Sequence, residues 1–180
     1  MHTFSRIFAG ALLLAAPAAF AQSATATASS VPASARIYVP ISVSLTNSGL
    51  SFGDIFASTT GGDVTLDPQN NTRTTTDPAL GATGSVSAAT FKVTGKRNAT
   101  YAITLPADGS VTLTGAGAAM PVSKFTASVE NAAATGTATG LLPNAANASQ
   151  TFAVGGTLTL GANQTDGDYA GTFNVTVAYN

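Results

Sequence analysis

The chain has 180 residues, a length that suits one domain. Only 8% of its residues are charged, with seven Lys and Arg against eight Asp and Glu, so it lacks the basic surplus that a nucleic-acid partner or an anionic membrane requires. It contains no cysteine, which excludes disulfide bonds, and its one histidine is His2.

The first predicted element is a secretory signal over residues 1–21. Arg6 and His2 form a short basic region, an apolar core too short to span a bilayer follows, and the small-residue motif "AFA" ends the segment. We expect cleavage between Ala21 and Gln22, which leaves six Lys and Arg against eight Asp and Glu. The mature chain is therefore expected to be secreted, to lack histidine and not to insert into a membrane.

Residues 22–35 consist mainly of Ala, Ser and Thr and predict a flexible N-terminal extension, which leaves residues 36–180 as the folded domain. The sequence then alternates strictly between apolar and polar residues, which is typical of a β-strand. Its apolar positions are Ile37, Val39, Ile41, Val43 and Leu45. Pro40 has no N–H group, so this strand is predicted to lie at a sheet edge or to bend between two sheets.

Further short strands are predicted in "GLSFGDIF", where Gly53 indicates a bulge, and in "DVTLD". Residues 68–84 are dense in Pro, Asn, Asp and Gly and predict a loop. The segments "SAATFKVTG" and "ATYAITLP" predict a hairpin with Lys96 and Arg97 near its turn.

The C-terminal half continues the pattern. "SVTLTG" and "MPVSKFTASVE" predict strands, residues 131–149 predict a loop, and "QTFAVGGTLTLG" predicts two strand pieces split by Gly155-Gly156. The last twelve residues alternate to the terminus and predict one long strand. Its predicted inner face consists of Tyr169, Gly171, Phe173, Val175, Val177 and Tyr179. About nine short strands without a helical period predict an all-β sandwich.

The mature sequence offers little catalytic chemistry. Without histidine or cysteine there is no Ser-His or Cys-His pair, and Ser123 and Lys124, as neighbours on a strand, face opposite ways. Most carboxylates occupy turn-like positions, and Asp166 and Asp168 lack the rest of a calcium-loop pattern. We therefore expect no catalytic, cofactor or metal site, and a protein that is not an enzyme.

Three stretches carry a family resemblance: "LSFGDI", "FKVTG" and "VGGTLTL" with "QTDGDYAGTFNVTVAYN". Over roughly residues 36–180 the chain resembles the bacterial domain-of-unknown-function family 4402 (DUF4402). Its ending is similar to that of spore-coat-U-like and archaic chaperone–usher pilin subunits, although it has no cysteines, unlike the spore-coat-U-like pattern. The resemblance implies an immunoglobulin-like, pilin-like β-sandwich lacking one strand, which a partner supplies.

The resemblance also implies a function. The chain would be an exported subunit of a fimbria-like or cell-surface assembly, passing through the periplasm and associating by β-strand addition with copies of itself. A periplasmic chaperone and an usher are the other implied partners. The residues expected to pair strands are Ile37, Val39, Ile41, Val43, Phe173, Val175, Val177 and Tyr179.

A second function remains open from the sequence. The domain could be a self-complete secreted β-sandwich that binds a carbohydrate or another surface, with its own first strand filling the groove. Such a protein would be a stable monomer, whereas a strand-adding subunit would form oligomers.

Overall fold

A computed structural model of the protein describes residues 25–180. Its strands all lie within the unit Ile37–Asn180, and the described part of the preceding unit, residues 25–36, contains no helix or strand. In the described chain no helix is long and apolar enough to cross a membrane. The predicted signal at residues 1–21 lies outside the described residues.

Fifteen strands are present in the described residues, and most are short. They are β1 (Ser42–Leu45), β2 (Ser51–Phe52), β3 (Ile55–Phe56), β4 (Gly62–Asp67), β5 (Thr72–Thr75), β6 (Ala79–Leu80), β7 (Val86–Ser87), β8 (Ala89–Thr94), β9 (Thr100–Thr104), β10 (Val111–Gly115), β11 (Met120–Val129), β12 (Ala138–Leu141), β13 (Ser149–Leu160), β14 (Tyr169–Ala170) and β15 (Thr176–Tyr179). The all-β prediction is confirmed.

The larger sheet has eight antiparallel strands built around β13. Along the path β1-β8-β13-β11-β10-β14, β13 pairs with β8 through its first half and with β11 on its other edge. The second half of β13 pairs with β4, which in turn pairs with β5. Because β13 is twelve residues long, one strand can hold two successive partners on the same edge.

The second sheet contains β12, β9 and β15 in that order, and two small ribbons pair β2 with β7 and β3 with β6. The core lies between the sheets and contains side chains that alternate along the strands, as the period-two pattern predicted. Its fully buried members include Val64, Leu66, Val93, Tyr101, Phe152, Val154 and Leu158. No buried side-chain nitrogen or oxygen in the described chain lacks a hydrogen-bond partner.

The predicted division of β13 at Gly155-Gly156 is wrong, because one strand runs from Ser149 to Leu160, although its pairing with β11 shifts register at this point. These glycines serve close approach instead. A Cβ at Gly155 would collide with the carbonyl oxygen of Leu66 and crowd Pro68, at the point where β4 leaves the edge of β13. The missing side chain thus lets the partner change from β8 to β4.

The predicted hairpin of residues 87–106 is also wrong. Its two arms are β8 and β9, which belong to different sheets: β8 pairs with β1 and β13, whereas β9 pairs with β12 and β15. The Lys96–Asn98 turn therefore carries the chain across the sandwich.

Three other predicted boundaries differ from the structure. The first strand covers only Ser42–Leu45, because β8 ends opposite Ser42 and Pro40 cannot donate to a ladder. The final strand is broken into β14, paired with β10, and β15, paired with β9, because the chain changes sheets over residues 171–175. The two predicted loops contain β5, β6 and β12, which lie on sheet edges or in a ribbon.

Candidate functional site

Two strand edges face each other along one side of the sandwich. β1 pairs with β8 alone, and β15 pairs with β9 alone, among the strands of residues 25–180. The two strands come within 8 Å of each other, Cα to Cα. We call the space between them the seam.

The backbone phase directs hydrogen-bonding groups into this seam. Thr46 N donates to Thr90 O at 2.8 Å, and Asn180 N donates to Thr100 O at 3.2 Å. Hydrogen-bonded pairs alternate in an antiparallel ladder, so the residues paired without hydrogen bonds direct their N–H and C=O groups away from the partner strand. By this phase and register, these residues are Val43 and Leu45 in β1 and Val177 and Tyr179 in β15.

The side chains along the seam are incompletely covered. Ile41 and Val43 before and in β1, and Phe173, Val175 and Val177 before and in β15, pack against the core yet stay half-buried. Leu45 is 50% exposed, whereas Val93 and Val154, in the strands behind, are fully buried. The core is therefore open along the line where two strands lack a neighbour.

One end of the seam is closed by Tyr179. Its hydroxyl accepts a hydrogen bond from Lys96 N at 2.7 Å and donates one to Val39 O at 3.0 Å. A Cβ at Gly95 would collide with this hydroxyl, so the turn needs glycine there. We call this end of the seam the tyrosine end. Here the hydroxyl of Tyr179 joins the last strand to the β8–β9 turn and to the residues that precede β1.

At the other end of the seam, the segments that follow β1 and precede β15 line a cleft of about 720 Å³. Residues 50–57, which follow β1, form one side, and residues 164–171, which precede β15, form another. Apolar lining comes from Leu50, Phe52, Ile55, Phe56, Leu113, Met120, Leu158 and Leu160. Asp54, Asp166 and Asp168 also line it and are exposed, so this cleft end combines apolar side chains with a largely polar lining and an acidic rim.

Arg73 holds the wall formed by residues 50–57. Its guanidinium donates to the carbonyl oxygens of Phe52, Asp54 and Gly81, the last two at 2.9 Å. Thr83 Oγ1 adds a hydrogen bond to Asp54 Oδ2 at 2.6 Å. Sequence reasoning missed Arg73; its one signal was a lone cation within the Thr-rich stretch "NNTRTTT".

The structure brings together six of the eight predicted pairing residues. Ile41, Val43, Phe173, Val175, Val177 and Tyr179 are all half-buried and pack against the core along the seam or its approaches. The other two precede β1: Ile37 is 93% exposed and Val39 is 50% exposed, so neither forms part of a strand wall.

A second hollow, of about 520 Å³, lies on polar residues that include Asn47, Asn71, Gln69 and Glu130. Two of its amides are already engaged. Asn47 Oδ1 accepts from Thr90 N at 3.0 Å and Asn71 Oδ1 accepts from Ala88 N at 2.7 Å. These amides brace the chain around the ribbons, which leaves them poorly placed to bind a sugar.

The titratable groups with perturbed ionisation have structural surroundings. Burial, with a smaller contribution from Glu130, raises the pKa of Tyr101 to about 12, and its hydroxyl donates to Gln150 Oε1 at 2.8 Å. Hydrogen bonds from Ser58 and Thr60 lower the pKa of Asp77. Over residues 25–180 no group of three or more His, Cys, Asp or Glu side chains could hold a metal ion.

A protein-family model described as "Domain of unknown function (DUF4402)" matches residues 41–179. The match spans every strand of the described structure and starts after the N-terminal extension. Searches of curated proteins and of solved structures found no match.

Proposed function

The chain belongs to the DUF4402 family, and we propose that it is a non-enzymatic structural subunit of a cell-surface assembly whose copies join by β-strand addition at the seam. The observation that carries this proposal is the pair of facing edges, β1 and β15. Both direct unpaired backbone groups and half-buried apolar side chains into one gap. An added strand would form hydrogen bonds with either edge and cover the exposed part of the core.

The donor in this proposal is the N-terminal segment of a second copy. Residues 25–39 have no regular structure and are exposed. Their odd-numbered positions from 31 onward are Val31, Ala33, Ala35, Ile37 and Val39, so an extended segment presents one apolar face. Val31 is 70% exposed, so it is available to a partner.

Export fits the same proposal. We expect the signal to be removed between Ala21 and Gln22, which places the donor close to the new N-terminus, where it can reach another copy. An unpaired edge with apolar neighbours invites aggregation, so a periplasmic chaperone that covers the seam before an usher assembles the subunits completes the proposal.

Deletion of residues 22–35 tests the proposal. We expect the shortened chain to keep its β-sheet circular dichroism and its melting transition, because the strands of the domain begin at Ser42. It should lose assembly, measured by sedimentation and by ladders on mildly heated gels. Unchanged assembly would contradict the donor role, and unfolding would assign these residues to the domain core.

The alternative is a self-complete binding module that recognises a carbohydrate, and the polar hollow at Asn47 and Asn71 is its only structural support among the described residues. A stable monomer that binds a glycan array, and loses binding on Glu130→Ala, would favour this alternative. Glu130 is the exposed carboxylate beside that hollow.

A further inference from the structure

The two ends of the seam differ in charge. Asp54, Asp166 and Asp168 are exposed at the cleft end, and neither Asp166 nor Asp168 forms an ion pair within the described chain. Arg73 lies behind the cleft, but its guanidinium is bound to backbone carbonyls.

The tyrosine end is basic. Lys96 and Arg97 are exposed in the turn whose backbone N–H, at Lys96, donates to the hydroxyl of Tyr179. Glu130, whose N–H donates to Thr151 O at 3.1 Å, lies between the two ends, level with the middle of β8. The domain therefore carries opposite charge at the two ends of the seam.

We propose that the acidic cleft end of one copy binds the basic tyrosine end of a second copy, with Ile37 of the second copy in the cleft. This inference rests on the strand addition proposed above and deepens it by fixing direction, register and the charged contact. The occupant is an apolar residue that is 93% exposed in the free chain, and the cleft offers it apolar side chains that include Leu50, Phe52 and Ile55.

Charge decides the direction of the incoming strand. A donor that runs antiparallel to β15 has its N-terminal residues at the tyrosine end of the acceptor. Its Arg36 then lies at the acidic rim of the acceptor's cleft end. The reverse direction would bring Arg36 beside Lys96 and Arg97, where like charges repel. Antiparallel pairing is also slightly the more stable form per residue.

Side-chain size suggests the register. With Ile37 opposite Gly171, a larger residue of one segment meets a smaller residue of the other in three of four pairs. The pairs are Ile37 with Gly171, Ala35 with Phe173, Ala33 with Val175 and Val31 with Val177. An extended donor presents alternate positions on one face, so three of the pairs would meet at the half-buried side chains of residues 173, 175 and 177. Gly171 is exposed where the chain crosses between the sheets, and it has no side chain to obstruct Ile37.

The charged contact follows from chain length. Ile37 sits in the cleft of the acceptor, and only Tyr38 separates it from Val39, whose carbonyl is bound by its own copy's Tyr179. Two residues span at most about 7 Å, so the donor's tyrosine end must abut the acceptor's cleft end. The contact is head-to-tail, which leaves free ends for further copies.

Charge reversal at the two ends tests this contact while it leaves the apolar side chains along the seam unchanged. One variant carries Asp166→Lys and Asp168→Lys, a second carries Lys96→Glu and Arg97→Glu, and a third carries all four changes. A control, Lys92→Glu with Lys124→Glu, changes two exposed cations on β8 and β11. Sedimentation measures the rate of seeded assembly, and a thermal melt of each variant checks that its monomer folds.

We expect each of the two end reversals to slow assembly about tenfold or more at low salt. The variant that carries all four changes should return toward the wild-type rate. The deficit should shrink at ~1 M salt, where the screening length is about 3 Å. The control should assemble normally. End reversals that assemble like the wild type, or a fourfold variant no faster than either, would overturn this inference and leave strand addition standing. A wild-type chain that stays monomeric would overturn both proposals.

Discussion

The hydroxyl of Tyr179 accepts the backbone N–H of Lys96 at 2.7 Å and thereby ties the last strand to the turn that crosses between the sheets. The same hydroxyl donates to Val39 O. Tyr179→Phe should remove both hydrogen bonds while keeping the ring, and we expect a loss of about 1 kcal/mol in the free energy of unfolding. Asn180→Ala is the control, because Asn180 bonds through its backbone.

Removal of Tyr179 and Asn180 together should affect assembly and secondary structure unequally. Truncation at Ala178 shortens the seam at its closed end, so we expect assembly to fall more than the β-sheet signal does. Full assembly after truncation would show that the terminus is not part of the subunit joint, and an unchanged melt for Tyr179→Phe would contradict the hydrogen-bond bridge.

Neighbouring residues of β15 should respond oppositely to charge. Val177 is half-buried against the core, whereas Thr176 is exposed. Val177→Asp should cost the free subunit about 1–3 kcal/mol and abolish assembly, because an added strand would bury the carboxylate without a partner. Thr176→Asp should stay within about 1 kcal/mol of wild type. Thermal melts beside sedimentation measure both, and equal damage would refute a one-faced strand.

Tyr101 should make stability fall in strong alkali. Burial raises its pKa to about 12 in the folded chain, against about 10 when unfolded. The neutral hydroxyl therefore stabilises the fold fully below about pH 10, and this contribution is lost as pH rises toward 12. At 1.36 kcal/mol per pKa unit, this difference sets an upper bound of about 3 kcal/mol on the loss, which solvent screening reduces.

Tyr101→Phe should lack this decline. Urea unfolding between pH 8 and pH 12 gives the difference between the two chains, with Tyr38→Phe as a control at a tyrosine that is 69% exposed. The variant starts less stable at pH 8, because Gln150 loses its hydrogen-bond donor. If the free energies of unfolding of wild type and Tyr101→Phe changed in parallel between pH 8 and pH 12, the alkaline loss would not belong to Tyr101.

Arg73 should matter more to the cleft wall than to the sheets. Lysine cannot reproduce a planar group that binds three carbonyl oxygens, so Arg73→Lys should cost about 1–3 kcal/mol. Amide hydrogen exchange should accelerate in residues 52–56 and 79–84 but not in β13. Lys92→Ala is the matched control on the exposed face of β8. Exchange that rises evenly across the chain would argue against a local clamp.

The sequence predicted what depends on local alternation. The all-β class and the inward face of residues 173–179 follow from a period of two, which burial preserves even where no ladder forms. It did not predict partners. The β8 and β9 segments look like a hairpin, yet they enter different sheets, because nothing near Lys96 records which distant strands they meet.

The cleft was missed for the same reason. Its lining comes from five separate parts of the chain, and Arg73 reaches it from β5 through hydrogen bonds to backbone groups, which have no sequence signature. Asp166 and Asp168 were interpreted as turn residues, which their exposed positions before β14 fit. Their position beside an apolar cleft depends on tertiary packing alone.

Disulfide trapping tests the central claim, strand addition between copies at the seam, most directly, because the chain has no cysteine of its own. One population carries Ala33→Cys and another carries Val175→Cys; they are mixed, mildly oxidised and separated on a non-reducing gel. We predict a linked dimer from this mixture and little from Ser34→Cys with Val175→Cys, since adjacent residues face opposite ways. No dimer in the first mixture would contradict the register in which Ala33 meets Val175, and an internal disulfide in a dilute chain carrying both Ala33→Cys and Val175→Cys would contradict addition between copies.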